Sequence, residues 1–194
     1  MEEMKVDPRI IRTRNLLMDA FMKIIKKKEF KDITINDIAE EATVNRATFY
    51  SHFQDKYDVM DAAITEDITE RIIKNLSQYD RLNEETIVKV FLTLTKFHTE
   101  RSEELGSQCR RSYESFYSII EQKVKKELEE LFYSLLLKQQ SKLDSEALKI
   151  GTAVLSWGIY GASIDWQHNS SLSAEQYIKK ALPFIVTELN DFKG

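Results

Sequence analysis

The chain has 194 residues, enough for one large domain or a small one beside a larger one. Its formal net charge is −4, from 28 Lys+Arg and 32 Asp+Glu, which argues against a generic polycationic coat for nucleic acid. Two prolines and five glycines favour long helices over many-turned β structure, a single cysteine excludes an internal disulfide, and no apolar run reaches the ~18 residues of a membrane span.

Residues 1–8 are polar and are expected to fray. The start, MEEMKVDPR, lacks the apolar core of a secretory signal, so a reducing cytoplasmic location is expected. A first helix is predicted from just after Pro8 to about Lys28, with Leu17, Phe21, Ile24 and Ile25 as its apolar stripe. Lys26, Lys27 and Lys28 suit the negative end of the helix dipole. Arg9, Arg12 and Arg14 oppose it at the other end, where a phosphate contact is the competing use.

The next stretch, Thr34–Lys56, reads TINDIAEEATVNRATFYSHFQDK. Thr34 with Asp37 has the form of a capping box, and Ile38, Ala39 and Ala42 fall on one helical face. Thr43-Val44 makes a tight connection. Asn45 is a good cap for a second short helix, Arg46–Phe53. Phe49 and Phe53, four apart, turn inward and leave Arg46, Thr48, Tyr50 and His52 outside. One helix braces and the next offers polar side chains, as in a helix-turn-helix facing a DNA groove.

At these residues the chain resembles the TetR-type transcriptional repressors, which commonly show A-G-V-S-x-x-T-x-Y-x-H-F-x-x-K. The run here is ATVNRATFYSHFQDK. Thr34-Ile35 and Asp37-Ile38-Ala39 add to the likeness, which covers roughly residues 9–60. It implies phosphate contacts from Thr34, Tyr50, His52 and Lys56, and base reading from Arg46, Ala47 and Thr48, with Asn45 beside them. Arg46 can bond a guanine through two donors, and the methyls of Ala47 and Thr48 can touch thymine. Thr43 stands where the family usually has glycine. A β-branched residue there either avoids the left-handed conformation or carries roughly 1 kcal/mol of strain.

Asp55 is expected to cap a long helix from Lys56 to about Leu76, and residues 77–83 form a polar break. Helices are then predicted over Glu84–His98, Tyr113–Gln140, Glu146–Gln167 and Ala174–Phe192, the last interrupted by Pro183. Thr99–Ser112 reads as a polar connection holding at most a short helix at Glu103–Cys109. The fold class is therefore all-α: a helix-turn-helix domain over residues 1–55 and a larger helical domain for ligand binding and dimerisation over 56–194. The first 57 residues hold 11 Lys+Arg against 10 Asp+Glu, and the rest 17 against 22, so the N-terminal part is the less acidic one.

The resemblance implies a homodimer on a palindromic operator and a small-molecule effector. Phe91, Phe116, Tyr117, Trp157 and Tyr160 are the expected walls of an effector pocket, although an ordinary core would use the same aromatics. Gly151, Gly158 and Ala162 recur at intervals of seven and four, and such a small-residue strip admits a neighbouring helix. With Ile178, Leu182, Ile185 and Leu189 it forms the expected dimer interface. Two other classes compete: a DNA-binding activator or architectural protein without a ligand, and a helical-bundle enzyme with a vestigial helix-turn-helix. Cys109 with His98 is the one conceivable nucleophilic pair, and glycine-rich loops, metal-ligand spacings and a nucleophile elbow are missing. No catalytic residue, metal or cofactor is expected.

Overall fold

A computed structural model describes residues 7–104, 110–139 and 144–191, with side chains outside 104–116 and 186–191. Cys109 and the short helix expected around it lie outside the described residues. Among those described there is no strand, and no helix is long and apolar enough to cross a membrane. The fold is all-α. It divides into two compact units, Met1–Asp67 with Glu104–Ser118, and Ile68–Glu103 with Ile119–Gly194.

In the first unit, α1 spans Pro8–Ile24. Asp7 caps it by accepting from the Arg9 amide, and Pro8 occupies a first-turn position that needs no amide hydrogen. Leu17, Met18, Ala20 and Phe21 are buried. The helix ends before the lysine run, where Lys28 instead pairs with Asp37 at 2.8 Å. A 3₁₀ turn, Phe30–Asp32, leads to α2, Ile35–Glu41. Here the expected capping box is complete: the Asp37 amide donates to the Thr34 hydroxyl, and the Thr34 amide donates to the Asp37 carboxylate. Lys28 and these Thr34 donors hold the Asp37 carboxyl down at about 2.

The end of α2 is a Schellman turn: Thr43 N–H donates to Glu40 O and Val44 N–H to Ala39 O. It requires a left-handed residue, and Thr43 supplies one at φ 58°. Of the two outcomes expected for Thr43, strain is the one realised. Helix α3, Arg46–Tyr50, is three residues shorter than the apolar spacing predicts. Phe53 is nonetheless buried, because the chain beyond Tyr50 turns it under Phe49, with ring centroids 5.9 Å apart. Helix α4 spans Lys56–Ile68 and passes into a π-helical turn, Thr69–Ile73, and a last α-helical turn, α5, Lys74–Leu76. By contacts the first unit runs to Asp67.

The second unit contains α6, Glu84–Glu104, the body of α7, Arg110–Lys138, then α8, Ser145–Asn169, and α9, Ala174–Asp191. Helix α6 continues past His98, through residues expected to form a connection. Phe97, His98 and Arg101 extend the buried face begun by Val90, Phe91 and Leu94. A charged residue on that face hid the continuation. Helix α7 buries Ile120, Val124, Leu128, Phe132 and Leu135 at regular spacing. Asp144 caps α8, accepting from the amides of Glu146 and Ala147. The α8–α9 turn is tied by the Trp166 indole donating to Leu172 O at 2.9 Å. Partial burial, with the bond that Tyr177 donates to Asp165 at 2.7 Å, pushes the phenol up to about 12.

Replacing Thr43 by Gly is expected to stabilise the first unit by about 1 kcal/mol, seen as a higher urea midpoint at unchanged slope. A variant no more stable than the native chain would contradict strain at this turn.

Candidate nucleic-acid interface

Helix α3 has only five residues, too few to persist unaided. Its first turn is held by Asn45, whose carboxamide oxygen accepts from the Thr48 amide at 2.7 Å and from the Thr48 hydroxyl at 3.0 Å. Its underside is the fully buried Phe49. Its far end is held from α1, where Arg14 donates to His52 O at 3.1 Å and lies 4.3 Å over the Phe53 ring. Of the three N-terminal arginines, Arg14 thus works inside the unit, whereas Arg9 and Arg12 are exposed.

Arg46, Ala47 and Tyr50 are exposed on α3, with Thr48 and His52 half-buried. Arg46 and Tyr50 lie one turn apart. The guanidinium donates to the Tyr50 hydroxyl at 3.2 Å and sits 5.6 Å from its ring centre. The Tyr50 ring in turn packs edge-on against Phe49 at 5.7 Å. A buried phenylalanine thus steadies a tyrosine, and the tyrosine steadies the arginine. A guanidinium so restrained loses less freedom on meeting a guanine edge than a free one. Thr34 and Asn45 have first duties as helix caps. Lys56 was expected on phosphate, yet its ammonium donates to Phe30 O, Lys31 O and Ile33 O. Sequence reasoning missed both this use and that of Arg14, because carbonyl acceptors leave no mark in side-chain identity.

The described residues among those expected to line an effector pocket differ in their surroundings. Phe91 is fully buried and stacks on Tyr177, with centroids 5.6 Å apart. Tyr160 is buried against the His98 ring at 5.5 Å. Tyr117 is half-buried, and the Phe116 side chain lies outside the described residues. Trp157 is 60% exposed, with the Lys125 ammonium 3.7 Å from its ring centre, so it faces outward rather than into a pocket. Two grooves of this unit, of about 560 and 510 Å³, are lined by none of these five. Beside Tyr160, burial pushes His98 down to about 4, so its imidazole is neutral at pH 7.

The expected dimer residues also separate. Ile178 is 0% exposed and belongs to the unit's own core, a correction to its expected place at an interface. Gly158 is exposed, and a Cβ there would meet nothing within 4 Å. Gly151, Ala162, Leu182 and Ile185 are half-buried, and the Leu189 side chain lies outside the described residues. Helix α8 is mixed in polarity on both sides, and Leu148, Ile159 and Tyr160 are also buried. Thr152, Ser156 and Ser163 face inward, and Ile150, Val154 and Trp157 are 59%, 56% and 60% exposed. The inward Ser156 and Ser163 hydroxyls donate to the Thr152 and Tyr160 carbonyls of their own helix. On α9, Phe184 is 86% exposed.

Residues 17–63 match the tetR family of bacterial regulatory proteins, a span that contains α2, the strained turn and α3. This part of the chain is of the TetR family. It is 34% identical over 84 residues to an uncharacterized HTH-type transcriptional regulator, YxbF, of Bacillus subtilis, covering 43% of this chain and 22% of that one. It is 28% identical over 72 residues to DhaS of Lactococcus lactis, a transcriptional activator of the dhaKLM operon, covering 37% of this chain and 38% of that one. These matches thus span well under half the length of either relative. A solved structure of a dihydroxyacetone kinase operon activator DhaS superposes with a TM-score of 0.59 at 16% identity, covering 94% of this chain and 98% of that one. At that identity the likeness is one of fold.

Arg46→Ala is expected to cost about 1–3 kcal/mol at one base pair per half-site while leaving binding to random DNA nearly unchanged. Tyr50→Phe keeps the ring and removes the bond to Arg46, so it should give a smaller loss at that same base pair. Anisotropy titrations on matched and mismatched duplexes measure both. An equal loss on every sequence would make Tyr50 a phosphate contact instead.

Proposed function

We propose that this TetR-family chain is a sequence-specific DNA-binding transcriptional regulator. It is non-enzymatic and cytoplasmic, and it acts as a homodimer on a palindromic operator. The observation that carries this reading is the restrained, solvent-facing set on α3: Arg46, Ala47 and Tyr50, with Thr48 and His52 at its margins. Thr34 and Asn45 complete the contact surface at the starts of α2 and α3, where exposed helix N-termini favour phosphate.

The apolar residues that α8 leaves exposed support the dimer. Exposed Ile150, Val154 and Trp157, with Phe184 on α9, form the kind of apolar surface that a second copy covers. The exposed Gly158 lets a partner helix approach closely. A two-fold assembly meets two half-sites about one helical turn apart. Support for an effector lies in the core of the second unit, which keeps a neutral His98 buried beside the Phe97 and Tyr160 rings. By linkage, an effector that weakens operator binding is itself bound more weakly by the operator complex. Repression relieved by such an effector is the first reading. The similarity to the activator DhaS favours activation as the second.

Val154→Glu with Trp157→Glu is expected to give a folded monomer whose affinity for a palindromic site falls by about 100-fold, because each reading head then binds alone. Sedimentation velocity and a mobility-shift titration check this. A native chain that sediments as a monomer at micromolar concentration contradicts the dimer, and a double variant that remains a dimer contradicts this placement of the interface.

A further inference from the structure

The Lys56 ammonium has three hydrogens, and three backbone carbonyls surround it: Phe30 O at 3.0 Å, Lys31 O at 3.2 Å and Ile33 O at 3.0 Å. The Phe30 ring lies beneath it, 4.7 Å from the nitrogen. That ring is itself held edge-on by Tyr57 at 5.1 Å and by Phe21 of α1 at 6.1 Å. Lys56 opens α4, immediately after the helix-turn-helix, and Ile33 immediately precedes its first cap, Thr34. Between these two residues lie α2, the strained turn and α3.

We propose that Lys56 is a positioning residue that fastens the beginning of the helix-turn-helix to its end, and that its charge serves this closure rather than a DNA phosphate. Closing the segment at both ends limits how far α2 and α3 can swing on the Thr43 turn, and so fixes the aim of α3. An ammonium suits the task because its donors diverge from one point toward three carbonyls. A planar guanidinium cannot reproduce that arrangement, although it binds phosphate at least as well. Lys56→Arg therefore separates the two roles. The proposal rests on the DNA-binding reading above.

Native chain, Lys56→Arg and Lys56→Met are titrated with operator DNA between 50 and 200 mM salt, well below their melting temperatures, with helicity checked by circular dichroism. Amide exchange at Asp32 and Ile33, whose N–H groups close the 3₁₀ turn, is followed in the same proteins without DNA. The closure predicts that both variants lose affinity, on the order of tenfold. It also predicts an unchanged slope of log K against log salt and faster exchange at both amides. Native affinity in Lys56→Arg, with a slope shallower by about 1.8 in Lys56→Met (about 0.9 for each protomer of the dimer), would overturn it in favour of a phosphate contact. Unchanged exchange at Asp32 and Ile33 would also overturn it. If the native chain selects no DNA sequence, the functional reading falls, and the exchange data still decide the role of Lys56.

Discussion

A helix of five residues cannot hold its own shape in water, and the N-terminal unit is built around that constraint. Helix nucleation fixes several residues for one hydrogen bond, so α3 exists only because its surroundings fix it. Asn45 caps one end, Arg14 reaches the carbonyl at the other, and Phe49 and Phe53 anchor its underside. The same economy explains why two cations of this unit point at backbone oxygen. A carbonyl oxygen has two lone pairs, and at the end of a short helix or in a connecting turn it keeps accepting capacity that is costly to bury unmet. Arg14 and Lys56 satisfy them, and in doing so bring α1 and α4 to the two sides of the helix-turn-helix.

The second unit follows a different logic. Its core accepts polar groups that a purely structural bundle would avoid: Arg101, neutral His98, and the inward hydroxyls of Thr152, Ser156 and Ser163. The hydroxyls of Ser156 and Ser163 cost little, since each returns to a carbonyl of its own helix. The outward face of α8 carries the apolar residues that were available to replace them. The exposed Ile150, Val154 and Trp157 are consistent with the proposed dimer, in which a partner covers them.

Much of this was legible in the sequence. The capping box, the Asn45 cap and the inward Phe49 are local, since each depends on residues within five positions, and each appears as expected; at Thr43, also local, the left-handed one of two open outcomes is realised. What was not legible was long-range or used backbone atoms. The bonds of Lys56 to the carbonyls of residues 30, 31 and 33 escape a sequence reading because backbone acceptors leave no trace in side-chain identity. Helix α6 seemed to stop at His98 because Arg101 does not look like a core residue, although it is buried beside the Phe97 ring. Hydropathy ranked Trp157 and Ile178 alike as apolar, yet Trp157 is 60% exposed and Ile178 fully buried. A helix apolar on several faces does not say which face its own chain covers.

The central claim is that α3 reads DNA sequence, with Arg46 setting the preference at one base pair of each half-site. Selection of bound duplexes from a random DNA library, sequenced for the native chain and for Arg46→Ala, tests it most directly. The account predicts an inverted repeat with half-site centres about 10 base pairs apart, or a multiple of that, and a loss of preference at one symmetric pair of positions in the variant. Enrichment of no sequence by the native chain, or an identical motif from both proteins, would contradict it.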